Sequence, residues 1–163
     1  MSRKKEFNDI IKDILNNDKF KEMNSELHHG LTRYDHCLRV AKTTYKCTKV
    51  LGLDYISATR AALMHDFYVE SDFPTNLPVN KLSKHSVVAL KNAKNNYNIS
   101  KKEENIIASH MFPLNLTLPK FKESWVVSAV DKGVAAYEMY RYKLSLYLAI
   151  WVMFMFNMLM VNK

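Results

Sequence analysis

Apolar residues recur at helical intervals along most of the chain, beginning with Phe7, Ile10, Ile11, Ile14 and Leu15 at i, i+3, i+4, i+7 and i+8. That stripe, with Lys and Asp opposite, predicts one amphipathic helix over residues 6–22. Gly30 and Thr32 precede a second predicted helix reaching about Leu51. Its Arg39, Lys42, Lys46 and Lys49 make one polar ridge, while Val40, Cys47 and Val50 lie near His36, so only one side is expected to meet water. Gly52 is the expected stop, and Asp54 or Ser57 can cap a third helix through Thr59, Ala61, Leu63 and Asp66. Pro74 and Pro78 bracket a loop with no apolar period.

A further helix is predicted over residues 81–97. Ser100 with Glu103 three positions later reads as a capping box that opens a short helix through Ile106, Ile107 and His110, which Pro113 ends. Pro119 precedes a helix from Lys122 to about Tyr140 that holds Trp125, Val126, Ala129 and Ala136, and residues 144–161 form a separate apolar segment. No repeat or linker divides the chain, and 163 residues suit one domain. With only three glycines and four prolines and no alternating β-branched run, the expected fold class is all-α, a single-domain helical bundle.

The net charge of +8 admits an anionic substrate, nucleic acid or an acidic membrane surface without choosing among them. A nucleic-acid binder would need a continuous cationic face with interleaved aromatics, and beyond Arg3, Lys4 and Lys5 the cations are scattered at helical intervals, so no nucleic-acid partner is expected. Cys37 and Cys47 fall ten residues apart on one predicted helix, a rise of about 15 Å, too far to pair. Arg3 to Lys5 run straight into a charged amphipathic stretch without a signal-peptide pattern, so a reducing cytoplasm is the expected compartment.

Four of the six histidines fall on four different predicted helices, each with an apolar or small neighbour one turn away: His36 before Val40, His65 after Ala61 and Ala62, His85 before Ala89, His110 after Ile106 and Ile107. Histidines on the core-facing sides of a bundle can meet one another. Two acidic residues share this setting, Asp66 in Ala61-Ala-Leu-Met-His-Asp66 and Asp131 in Val126-Val-Ser-Ala-Val-Asp131. A carboxylate in so apolar a stretch is costly to bury alone, and a divalent cation would offset its charge while ordering the imidazoles. His36, His65, Asp66, His85, His110 and Asp131 are therefore the candidate metal ligands. Nitrogen and oxygen donors suit Mn, Fe, Co, Ni or Zn, as one or two ions.

A His, then a His-Asp pair, then a distant Asp is the signature of the HD-domain metal-dependent phosphohydrolases, and His36, His65-Asp66 and Asp131 resemble it in order and setting. Tyr34-Asp-His-Cys-Leu-Arg-Val-Ala41 and Ser109-His-Met-Phe-Pro113 also look like the family, and the resemblance spans about residues 32–138. It implies that His36, His65, Asp66 and Asp131 hold one ion, and that His85 and His110, with Asp66 bridging, hold a second, as in binuclear members. It implies hydrolysis of a phosphoester or phosphoanhydride of a nucleotide-like, phosphorylated small molecule, with Asp66, His65 and Lys132 in catalytic roles. Arg33, Arg39 and Lys132 are the cations expected to hold substrate phosphates. The alternative is a catalytically silent module that binds a nucleotide or metal and signals to a partner. The sequence departs from the family after the His-Asp pair, where His65-Asp-Phe-Tyr-Val-Glu-Ser-Asp72 lacks the usual lysine. Glu70 and Asp72 are candidates for outer contacts only, and His28 and His29 read as loop residues.

Residues 144–161 are eighteen positions without a charge, at the lower edge of a membrane span. Ser145 and Asn157 favour a buried helix that closes the domain or pairs in a homodimer; a membrane anchor through 144–161 is the less favoured reading.

Overall fold

Asn17 splits the predicted first helix. Its extended backbone (φ −72°, ψ 128°) lets the side chain accept a hydrogen bond from the Phe20 amide at 3.1 Å, so α1 (Arg3–Leu15) ends and α2 (Asp18–Glu22) begins afresh. The expected continuous helix over 6–22 is thus corrected: a short amide side chain competes with the helical hydrogen bond. The break rotates Phe20 fully into the core, against the rings of Tyr34 and Phe67.

The computed structural model describes the backbone of residues 3–25, 27–28, 31–73 and 81–161, and the side chains of residues 4–24, 32–73 and 84–153. The predicted Pro74–Pro78 loop, His29 and Gly30, and the His28 side chain lie outside these residues. A two-residue antiparallel hairpin, β1 (Leu27–His28) with β2 (Leu31–Thr32), precedes α3 (Arg33–Val50). Thr32 caps α3 by accepting from the Asp35 amide at 3.1 Å, and Gly52 follows its end at φ +66°, where a β-carbon would be strained. Val50, expected on the inner side, is instead 87% exposed, on a face of α3 that its neighbours leave uncovered.

Asp54, not Ser57, caps α4 (Tyr55–Met64), accepting from the Ser57 amide at 3.1 Å. The helix was expected to run through Asp66 but stops at Met64. The Phe67 amide reaches back only three residues to the Met64 carbonyl, and the Tyr68 amide bonds the Asp66 carbonyl, which turns the chain. His65 and Asp66 consequently sit on a turn at the inner end of α4. Then come α5 (Lys81–Asn96), α6 (Lys101–Ser109) and α7 (Lys122–Val161). The capping box is present as predicted: Ser100 Oγ accepts from the Glu103 amide at 3.2 Å, and Glu103 accepts from the Ser100 amide at 2.7 Å.

Among the described residues the architecture is all-α apart from the two-residue hairpin. α3 and α4 form the central pair, with α1 and α6 against α4 and α7 against α3 and α6. Ala58, Ala61 and Ala62, all fully buried, keep α4 close to its neighbours. Cys37 and Cys47 are unpaired, as their spacing requires.

The last helix departs most from expectation. Residues 144–161 are not a separate element: α7 continues without a break for 40 residues. Nor does this part close the domain, since Leu144, Leu146, Tyr147, Leu148, Ile150, Trp151, Val152 and Met153 are 42–66% exposed. Once α7 has passed α3 the bundle offers it no further surface, so burial within the same chain, as expected of the apolar run, does not occur over residues 144–153. Among the described residues, no helix is long and apolar enough to cross a membrane.

Candidate metal centre

α7 turns a mainly polar stripe toward the bundle: Glu123, Ser124, Val127, Ser128, Asp131 and Glu138 are buried, while Trp125, Ala129 and Ala136 face out. A helix that presents carboxylates and hydroxyls to its own core must find partners for them there. Asp131 finds His36 and His65, with its Oδ1 3.1 Å from His36 Nε2 and 3.3 Å from His65 Nε2. These three offer ligand atoms all within 4.8 Å of one another, as do His65, Asp66 and His110.

Asp66 stands between the two groups. Its Oδ2 lies 3.6 Å from His65 Nε2, and its Oδ1 lies 3.3 Å from His85 Nε2 and 3.5 Å from His110 Nε2. The structure therefore brings all six candidate ligands from α3, the α4 turn, α5, the end of α6 and α7 to one place. His65, His85, His110 and Asp131 are buried there, and His36 and Asp66 nearly so.

The ring orientations are set from behind. His65 Nδ1 donates to the Ala62 carbonyl at 2.8 Å and His110 Nδ1 to the Ile107 carbonyl at 2.8 Å, so in each neutral ring Nε2 carries the lone pair and points inward. His36 is held through Nδ1 by Glu138 at 2.8 Å. Local geometry explains the recurring backbone contact: a His just past the last helical residue can reach the carbonyl three positions back, one of the groups a helix end leaves free.

The donor set fits a divalent cation. His65 Nε2 and Asp66 Oδ1 are buried and make no well-directed hydrogen bond, which is costly unless something else satisfies them. His85 Nε2 and His110 Nε2 face each other at 3.0 Å, a separation two lone pairs cannot share without a proton or a cation. Charge balance agrees. Burial opposes charge on His36, but its hydrogen bonds to Asp131 and Glu138 prevail and hold its pKa at about 10. Burial likewise opposes the Asp66 carboxylate, yet His65, His110 and His85 bring its pKa well below the usual range. Asp131 is lowered in the same way by His36 and His65. Carboxylates that strongly hold protons on imidazoles can hold a metal ion in their place, with protons released.

The three expected substrate cations fare differently. Arg33 is buried, with its guanidinium 3.9 Å over the Tyr68 ring and Nη1 donating to the Tyr68 carbonyl at 3.1 Å, so it braces the turn that carries Asp66. Lys132 donates to the His110 carbonyl at 2.8 Å and to Ser128 Oγ at 2.6 Å, which fixes the end of α6. Arg39 has a side chain 45% exposed, beside Glu138 at 3.3 Å, and Lys132 is likewise an exposed residue although its ammonium group is anchored. Asp72 is structural: it accepts from Lys19 Nζ at 2.8 Å, Asn92 Nδ2 at 2.8 Å and the Val69 amide at 3.0 Å, tying α2 and α5 to the segment after Asp66.

Sequence reasoning missed Glu138. A signal was there, since it lies seven residues after Asp131, two turns on along one helix face. Replacing it tests its role. Glu138→Gln keeps a possible hydrogen bond to His36 but removes the charge, and metal affinity is expected to fall about 10–100-fold, the usual scale for a group behind a ligand. Titration of the metal-free protein with Zn or Mn measures this; unchanged affinity would show that His36 is oriented without Glu138.

Comparisons with curated proteins and with solved structures find no match. The HD domain matches residues 33–142, about two thirds of the chain and the stretch that carries all six candidate ligands, so this chain belongs to the HD-domain superfamily of metal-dependent phosphohydrolases.

Proposed function

We propose that the protein hydrolyses a phosphoester or phosphoanhydride of a nucleotide-like substrate at a centre of two divalent ions. The observation that carries the reading is the position of Asp66, whose two carboxylate oxygens face different ligand groups, His65 on one side and His85 with His110 on the other. His36, His65, Asp66 and Asp131 would hold one ion, and His85, His110 and the other oxygen of Asp66 the second. Bound there, such ions supply Lewis-acid polarisation of a phosphoryl oxygen and a water of lowered pKa.

The chain's own groups bind and orient. His65 and His110, locked through their Nδ1 atoms, cannot turn away from the centre when substrate enters. Glu138 fixes His36 and also holds Arg39, whose guanidinium stays partly exposed and so could meet a substrate phosphate. Lys132 and Arg33 act one step back, Lys132 through the His110 backbone and Arg33 through Tyr68. The net charge of +8 favours approach of an anion.

The test is metal analysis of the purified protein together with phosphate release from an aryl phosphate ester and a panel of nucleotides and dinucleoside polyphosphates. Metal bound with no release from any of them would favour a silent binding module instead. A second expected outcome separates one ion from two: His110→Ala should lower the metal content from about two to about one per chain, the number a binuclear site implies. One equivalent in the parent protein, unchanged by the substitution, would leave His85 and His110 free to contact substrate.

A further inference from the structure

Between α1 and α3 the surface opens into a trough of about 940 Å³, and none of the six candidate metal ligands lines it. Phe7, Ile11 and Leu15 form one wall at steps of four residues, and Leu38 with Tyr45, two turns further on, forms the other. The two helices run in opposite directions. Glu6 accepts from Tyr45 at 3.0 Å and pairs with Lys49 near the end of α3, while Phe20, just past α1, packs on Tyr34 at the start of α3. The trough therefore has two unlike ends: Leu15 and Leu38 close one, and Lys4, Lys46 and Lys49 gather at the other, with Lys42 between. Glu6 satisfies Lys49, but Lys4, Lys42 and Lys46 are exposed and have no ion-pair or hydrogen-bond partner among the described residues. No described carboxylate lines the trough to balance them.

We propose that this trough binds a long-chain fatty acid, with the carboxylate at the lysine end and the acyl chain along the apolar walls. Size agrees. Eleven residues separate Lys4 from Leu15, and eleven separate Leu38 from Lys49, a helical rise of about 16 Å. That is close to half the roughly 30 Å hydrocarbon thickness of a bilayer, the span of one acyl chain. The volume also falls within the range of about 300–1,000 Å³ found for small-molecule sites. Charge selects the class of ligand. The lysine stems can lie on the apolar walls while their ammonium groups reach a carboxylate. An acidic amphipathic helix repeats its charges along its length and would carry some of them over Leu15 and Leu38. A fatty acid has one charged end and one apolar end, as the trough does.

Titration calorimetry of the full chain with myristate, below its micellar concentration, tests this. Myristate is expected to bind, and laurate to bind about three- to tenfold more weakly for the loss of two methylenes. Tetradecyltrimethylammonium, the same chain length with the opposite charge, should bind at least about tenfold more weakly than myristate. Lys42→Glu with Lys46→Glu should reverse that preference at unchanged helicity, since neither lysine is tied into the described fold. Stearate carrying a nitroxide at its methyl end should broaden the Leu15 and Leu38 methyl signals in NMR spectra more than those of Val50, which lines the lysine end. Equal affinity for the two oppositely charged amphiphiles overturns the proposal. So does myristate binding that the double substitution leaves unchanged, which would place the ligand elsewhere, as on the exposed part of α7. Binding to phosphatidylglycerol vesicles with none to myristate also overturns it, and would assign the lysines to a membrane surface.

Discussion

Asp66→Ala is expected to abolish metal retention and lower turnover by more than about 100-fold, beyond the usual effect of a group behind a ligand, while leaving a folded bundle. The carboxylate faces His65, His85 and His110 at 3.3–3.6 Å and is their main shared counter-charge, so no water can replace it. The fold should survive because the side chain contributes little to packing. The core around α4 consists of Ala58, Ala61, Ala62, Leu63 and Met64, none of which contacts solvent. Metal analysis and far-UV circular dichroism on the same preparation separate the two effects. Full metal occupancy at the parent rate would refute the centre described here.

One residue further on, Phe67→Ala should act in the opposite manner, on stability first. Phe67 is fully buried, with its ring 5.6 Å from Phe20 and 6.2 Å from Tyr97, and its loss leaves a cavity that those rings can only partly fill. Such truncations cost about 3–5 kcal/mol, against a total stability of about 5–15 kcal/mol for a domain. The urea midpoint should drop accordingly with little change in slope. The Phe67 carbonyl accepts from Asn92 at 2.9 Å, a bond that the substitution keeps, so the turn bearing Asp66 should re-form in whatever fraction stays folded. A midpoint shift worth less than about 1 kcal/mol would mean that the site collapses freely and that Phe67 does not wedge the turn in place.

These two neighbours show how function and fold divide along the chain. The route from Met64 to Asp72 passes from core, to the candidate metal centre, to core again, and then to the Asp72 tie with α2 and α5. A turn anchored at both ends can hold a costly buried carboxylate at a fixed point. That is the physical requirement for a centre whose other ligands arrive on separate helices.

Local chemistry was legible in the sequence. Thr32, Asp54 and Ser100 sit at helix starts because a cap satisfies amides within three residues of itself, and Gly52 marks a helix end for the same local reason. The six candidate ligands were legible too, because histidines and carboxylates in apolar helical surroundings are rare enough to be read together.

What the residues could not reveal alone depends on where helices meet. The Asn17 cap breaks the helix locally, but that the break delivers Phe20 to Tyr34 and Phe67 depends on where α2 meets the core. Lys132 adjoins Asp131 in the chain, yet successive helical residues point about 100° apart, so its ammonium group reaches the His110 carbonyl instead. Glu138 matters because α7 crosses α3 at His36, and the apolar residues 144–153 stay exposed because the same helix has by then left the bundle behind. Periodicity determines which face of a helix is apolar; the length and crossing of its neighbours decide whether that face is covered by the chain itself.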